Sequence, residues 1–423
     1  MMGAAHRIRS SAARSGRLAL FVAVVVVAGG LHAATARSAP APSSAFVRVN
    51  QVGYPATASK RAFLMASVAE TGETFIVKDS AGGTALRATV GASLGSWSST
   101  YSHVYALDFD SVTATGSYTI SVSGPVPATS PSFRVGTGAN VYGEPLANAL
   151  SFYQTERDGP DFVPNALRTA AAHLNDEHAM TYLTPNVNPS GRFSGDLTSL
   201  GATVDASGGW WDAGDYIKGV QTLGYTTDLL LAGVRDFPGQ MGPARGSTAD
   251  FTDEAKFGTD WLLRMWDDQT LTLYYQVGIG TGNASTVGDH DIWRLPQADD
   301  TFGGTDPLYR YIRNRPVFRA GPPGSPISPN LAGRSAAAFG LCFQVFKATD
   351  PAFANRCLLA GQHIFDLADT TPKGKLTTYL PFSFYPETEW RSDLELGAVE
   401  LYSAVASGGL PACLLYTSDA ADE

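Results

Sequence analysis

The 423-residue chain has few of the features that would hold a small or an extended protein together. Three cysteines are too few for a disulfide-stapled scaffold. With 16% charged against 44% hydrophobic residues, the chain can bury a core, which excludes a disordered, self-repelling polymer. Glycine (44) and proline (25) carry no triplet period, so a collagen-like rod is excluded too. Basic charge is scarce. The formal charge is −9, yet the first 39 residues hold five Arg and no acid, so beyond them 25 bases face 39 acids, a net −14. That surface lacks the Lys and Arg that phosphates and anionic headgroups require, which excludes nucleic-acid and membrane-surface partners. Long apolar runs are missing as well. Leu18–Ala28 is too short to cross a hydrocarbon core of about 30 Å as a helix.

That short run has a different explanation. Arg7, Arg9, Arg14 and Arg17 precede it, and small-residue sites follow at Leu31-His32-Ala33, Ala34-Thr35-Ala36 and Arg37-Ser38-Ala39. The order is that of a secretory signal peptide over 1–39, which predicts a secreted protein with no membrane contact after cleavage. Cys342 and Cys357 fall on successive helix-like segments; a disulfide across a hairpin and two buried thiols both remain open.

Two textures follow a Pro/Ala/Ser linker. Over 44–137, short alternating or β-branched runs recur at Phe46–Val49, Arg61–Met65, Thr74–Lys78, Val104–Phe109, Ser117–Val122 and Ser132–Val135. Gly, Ser and Pro between them predict an antiparallel β-sandwich, with no ionisable cluster that would give it chemistry. From about Val141 the apolar period becomes three to four, and strand-like runs are nearly absent. Helices are predicted over Tyr216–Asp236, Asp253–Trp266, Ser335–Thr349, Pro351–Leu367 and Asp393–Ser407, joined in part by short turns that imply antiparallel hairpins. Gly278–Gly333 is rich in Gly, Pro and Asp and has no helical period, as functional loops often do.

The sharpest local feature is Gly208-Gly209-Trp210-Trp211-Asp212-Ala213-Gly214-Asp215, at the predicted start of the Tyr216 helix. Two carboxylates three residues apart at a helix N-terminus would be kept ionised by the helix dipole, which suits deprotonation of a water. The flanking indoles suit the C–H faces of sugars. An N-cap with an acidic N3 residue explains Asp-x-x-Asp equally well, so residue types alone leave both readings open.

Gly-Gly-Trp-Trp-Asp-Ala-Gly-Asp-Tyr resembles the signature around the catalytic aspartates of family 9 glycoside hydrolases, the inverting β-1,4-glucanases. Lys256–Met265, Tyr274–Gly278, Asp289-His290-Asp291-Ile292-Trp293-Arg294-Leu295-Pro296, Tyr385-Pro386-Glu387 and Asp393–Ala398 resemble later segments in order. Val47–Tyr54 resembles the immunoglobulin-like domain that precedes one branch of the family. The resemblance implies a multidomain chain, with an Ig-like antiparallel β-sandwich followed by an all-α (α/α)6 toroid over 138–412. It implies Asp215 as general base, Asp212 helping to hold the attacking water, and His290 and Trp293 lining a sugar cleft. Trp210, Trp211 and Trp390 are further candidate sugar platforms, although a core position is the commoner fate of Trp. A β-1,4-glucan is the implied partner. No cofactor is required, and Ser392 stands where an acid often precedes Asp393, which argues against the calcium that some relatives hold.

Two elements of that pattern are missing. An inverting enzyme needs a second carboxyl as proton donor, which the resemblance places in an Asn-Glu context preceded by a His-Arg loop; neither occurs here. About seven helix-like segments stand where six hairpins need twelve. The end, Cys413–Glu423, reads like a translated sequencing adapter, so the expectation is an N-terminal fragment of an enzyme, itself inactive, with 413–423 a non-native tail. A non-catalytic glucan-binding protein and a polysaccharide lyase, which would use Tyr with His or Arg, are the alternatives.

Overall fold

A computed structural model describes residues 43–188, 192–241 and 250–409. The signal-like segment, most of the linker and the 413–423 tail lie outside the described residues. The chain divides into two compact units, one built from residues up to 133 and one made chiefly of 134 onward.

In the first unit, Arg61–Ala66 pairs antiparallel with Ala45–Arg48 on one side and His103–Asp108 on the other. A second antiparallel group places Thr74–Asp79 between Thr84–Thr89 and Gly116–Val122, with Ala128–Thr129 on the outer edge of the latter. Alternation explains the burial. Val47, Ala62, Leu64, Phe75, Val77, Tyr105, Leu107 and Ile120 are buried while their neighbours face out. Thr84–Thr89 has no buried residue, and so it lacked the alternating apolar signal by which the other strands were predicted.

The second unit holds seven α-helices among the described residues. They are α1 (Gly138–Glu156), α2 (Val220–Asp236), the single turn α3 (Pro238–Met241), α4 (Phe251–Arg264), α5 (Pro329–Phe346), α6 (Pro351–Asp366) and α7 (Arg391–Ser407). Local chemistry starts several of them. Asp250 and Asp350 cap α4 and α6 by accepting the Asp253 and Phe353 amides, and Pro351 opens α6 at a position that needs no N–H donor. Helices α2, α5 and α7 run in the same direction. Gln221 of α2 meets Asn330 and Arg334 of α5, and Arg235, four turns on, meets Gln344. Gly333 and Gly340 of α5 likewise lie against the backbones of Asp393 and Glu400 in α7. A Cβ at either glycine would approach the facing carbonyl to 2.3 or 2.7 Å, so only glycine permits this packing. Cys342 of α5 and Cys357 of α6 form a disulfide, which resolves the alternative left open by the sequence.

The expectation that strands are nearly absent from this unit is corrected. Ser199–Val204, Ala179–Leu183, Val317–Arg319, Thr272–Val277 and Lys218–Gly219 form one sheet in that spatial order. Val317–Arg319 and Lys218–Gly219 are too short to show a period, Ser199–Val204 buries no residue, and Thr272–Val277 is buried throughout and so cannot alternate. The stretch read as lacking structure from Gly278 contains one of these strands and three single 3-10 turns, and α5 begins at Pro329 rather than Ser335.

Candidate active site

The loop that carries both aspartates is shaped by its glycines. Gly209 adopts a left-handed φ of 75°, and a Cβ there would sit 2.8 Å from the Trp261 indole of α4. The turn drives Trp210 into the core, where it is 3% exposed and its indole N–H donates to Glu254 at 2.7 Å. Trp211 is also buried, its ring covered by the Arg168 guanidinium at 4.3 Å. A sugar platform needs an open aromatic face, so the structure places neither indole where the sequence proposed it. Trp390 is half-buried at the start of α7, with the Arg391 guanidinium 4.7 Å from its ring.

After Trp211 the chain closes on itself: the Asp212 amide donates to the Ile217 carbonyl at 2.9 Å, and the Ile217 amide donates to Asp215 Oδ1 at 3.2 Å. Lys218–Gly219 then joins the sheet, and α2 starts only at Val220, with Gly219 at its N-cap. This corrects the predicted helix start at Tyr216. Neither aspartate caps the helix, and the dipole argument for keeping them ionised does not apply.

The two carboxyls are held in opposite ways. Asp212 is half-buried and accepts from two phenols, Tyr385 at 2.6 Å on Oδ2 and Tyr379 at 3.3 Å on Oδ1. Tyr379 also shares a 2.6 Å hydrogen bond with Thr222. Burial, with the Asp212 charge, raises both phenols well above the ordinary tyrosine range, so both stay protonated and able to donate. Asp215 is 6% exposed, and among the described residues the one basic group within 4 Å of it is His290. Burial pushes its carboxyl up to about 6; the Asp289 and Asp212 charges act in the same direction, opposed by the Ile217 amide and by His290. A carboxylate at that value ionises near neutral pH and is basic enough to take a proton from water.

The Asp289–Pro296 segment supplies the facing side. His290 Nε2 stands 3.9 Å from Asp215 Oδ2, beyond hydrogen-bond reach, and its half-exposed ring rests on Phe384 at 4.8 Å between centroids. Trp293 is 91% exposed and stands beside Gly214 between the two aspartates. Of the five aromatic positions proposed for sugar contact, these two are thus brought to the carboxylates with an open face. Asp291 does not face them: its Oδ2 accepts the Gly282 and Gly288 amides, both at 2.8 Å, and so fixes the turn. At the other end, Asp393 and Glu387 both accept from Arg334, at 2.9 and 3.1 Å. Among the described residues no group of three His, Cys, Asp or Glu is arranged to hold a metal ion.

Beneath the loop lies a cluster that the sequence did not reveal. Lys218 Nζ contacts Asp158 at 2.8 Å and Asp176 at 3.1 Å and donates to the Ala206 and Gly208 carbonyls, both at 2.8 Å. Arg315 binds the same two aspartates and the Tyr216 carbonyl. His173 bridges Asp158 and Asp299, Arg294 joins Asp299 to Asp289, and Tyr216 donates its hydroxyl to the Arg294 carbonyl. Tyr379 and Tyr385 were missed as well. Tyr385 lies in a motif quoted above, but nothing in its spacing announces a partner 173 residues earlier.

A loop with two unlike carboxylates beside an exposed indole and imidazole is the setting in which known proteins become informative. The family profile described as Glycosyl hydrolase family 9 matches residues 142–421, and that described as Cellulase N-terminal ig-like domain matches 43–126. The chain belongs to glycosyl hydrolase family 9. The family match runs into the segment that the sequence set apart as a tail. Endoglucanase 23 of Oryza sativa subsp. japonica is 30% identical over 228 residues, 54% of this chain and 36% of its own length. Endoglucanase 6 of Arabidopsis thaliana is 26% identical over 239 residues, 56% of this chain and 31% of its own. The matches thus span about a third of these family relatives. A metagenome-derived family 9 endoglucanase shares the fold at a TM-score of 0.60 and 24% identity, covering 87% of this chain and 65% of that one. The structure titled AaCel9A in complex with cellobiose-like isofagomine does so at 0.61 and 20%, covering 89% and 64%. The architecture of this chain is a β-rich Ig-like domain followed by a helical family 9 domain.

Proposed function

We propose that the chain is the N-terminal part of a secreted, inverting β-1,4-glucan hydrolase of the endoglucanase type. The observation that carries this reading is the unequal treatment of two neighbouring acids. Asp212, tied down by Tyr379 and Tyr385, orients a water. Asp215, buried and raised to about 6, takes its proton as the water attacks the anomeric carbon in a single displacement. Trp293 offers an open face to a pyranose, and His290 borders the same space. No cofactor takes part. A cellobiose-like ligand in a structure of the same fold supports a β-1,4-glucan as substrate, and the parallel α2, α5 and α7 suit the inner wall of an (α/α)6 toroid.

The proton donor has no counterpart in this reading: the Asn-Glu pattern is absent, and the acids beside the site serve other partners. Asp289 is bound to Arg294 and Glu387 to Arg334. The 423-residue chain should therefore hydrolyse glucan at least about 10²-fold more slowly than a version carrying the donor. The same absence favours the second reading, a secreted glucan-binding protein without turnover. The test is to read the source DNA past codon 412 and express any longer frame. Hydrolysis of cello-oligosaccharide releasing the α-anomer first supports the enzyme. A stop codon at that point, or turnover untouched by Asp215→Asn, overturns it.

A further inference from the structure

His173 lies at the centre of the buried cluster and is 2% exposed. Its Nδ1 is 2.9 Å from Asp158 Oδ1, and its Nε2 is 3.1 Å from Asp299 Oδ2. Neither carboxylate can serve as a donor. Asp158 is held well below the usual carboxylate range by Lys218, His173 and Arg315 against the cost of burial, and both Asp299 oxygens accept from Arg294 Nε at 2.7 Å. A neutral imidazole has one N–H and would leave one of its nitrogens facing a carboxylate lone pair. The ring sits among charges of both signs: Asp158, Asp176, Asp289 and Asp299 face Lys218, Arg294 and Arg315, and Arg168 acts on Asp158 as well. The other groups against the ring are Asp300, the rings of Trp211 and Tyr216, and the Arg315 guanidinium, which repels the charge. The residue also holds a left-handed φ of 53°, a strained backbone for a non-glycine.

We propose that His173 is a permanently charged imidazolium that positions the base, through the alternating chain His173–Asp299–Arg294–Asp289. Asp299 fixes Arg294, and Arg294 fixes Asp289, whose Oδ2 takes the Ile279 amide at 2.9 Å and sets the turn that presents His290 and Trp293. The Arg294 carbonyl holds the Tyr216 hydroxyl, next in sequence to Asp215. One charged ring thereby sets the 289–294 turn against the 212–217 loop. The charge state stands on its own; its effect on sugar binding rests on the glucan reading above.

The charge is tested by nitrogen-edited NMR of the full chain at about pH 8, more than a unit above an ordinary imidazole pKa of about 6.5. Both His173 nitrogens should still carry protons, and a singly protonated ring overturns the proposal. Asp299→Asn should lower the pH at which the second proton leaves, and no change there also overturns it. His173→Gln keeps a donor but not the charge. Measured by calorimetry below its melting temperature, it should bind cellotetraose about tenfold more weakly, the size of one charge-assisted hydrogen bond. It should also raise the Asp215 titration midpoint, followed by carbon NMR, which lost packing alone would not do. Unchanged affinity with an unchanged midpoint overturns the positioning role. If His173→Gln does not fold, the NMR of the parent and of Asp299→Asn still decides the charge. If the parent binds no cellotetraose, the glucan reading fails while the imidazolium is judged by NMR alone.

Discussion

Two groups of aspartates meet at the 212–217 loop, one under it and one on it, and Asp158 of the first and Asp215 of the second shift in opposite directions. Below, Asp158, Asp176, Asp289 and Asp299 meet Lys218, Arg294, Arg315 and His173 at hydrogen-bond distance, and Asp158 is driven well below its ordinary value. Above, Asp215 is almost as buried but accepts one backbone amide, with the His290 imidazole 3.9 Å off, and it is driven up to about 6. Desolvation disfavours the charge in both; the supply of cations decides the sign. The lower group spends its charges on one another and fixes the backbone. Asp215 keeps its proton affinity, the kind of perturbation that clusters at functional sites.

The contrast can be broken most directly by changing Asp215. In a version that carries a proton donor, Asp215→Asn should lower turnover on cello-oligosaccharide by about 10²–10⁴-fold, measured as reducing ends released. Below the loop the cost should appear as stability. Lys218→Met leaves Asp158 and Asp176 short of a buried cation, and it should cost about 3–5 kcal/mol in a denaturant titration. Asp215 should also give stability a pH dependence of its own. Because the folded value of Asp215 is raised, its contribution to stability is full below about 3.8, the unfolded value, and is lost as pH rises through about 6. Asp215→Asn should therefore gain about 1–3 kcal/mol on the parent above pH 6 and little at pH 4. An equal difference at both pH values would remove the distinction between the two groups. The smallest effect is expected at Tyr385→Phe, which leaves Asp212 one short hydrogen bond poorer. Cellotetraose affinity should fall by about 1–2 kcal/mol without a change in Asp215 titration.

Much of this was legible in the sequence where side chains repeat. Alternation located most strands of the first unit, and three-to-four spacing located α2, α4, α5, α6 and α7 within a few residues. The family resemblance grouped Asp212, Asp215, His290 and Trp293, and the fold brings His290 to Asp215 and Trp293 to Gly214. Helix-start reasoning failed at Tyr216 because Asp-x-x-Asp followed by an apolar stripe has the same appearance whether or not a two-residue strand intervenes. Trp210 and Trp211 looked like platforms because adjacency to an aspartate says nothing about which way a glycine turn points the indole. The ion cluster was invisible for a different reason. His173, Asp158, Lys218, Asp299 and Arg315 are scattered over 157 residues, and only the fold pairs them.

Asp212 and the phenols that hold it are separated by 167 and 173 positions along the chain. During synthesis both acids leave the ribosome long before Tyr379 and Tyr385 exist. The Asp212 carboxylate thus lacks both phenol donors until the late loop docks, and a product that stops short of that loop would carry the acidic signature without its grip.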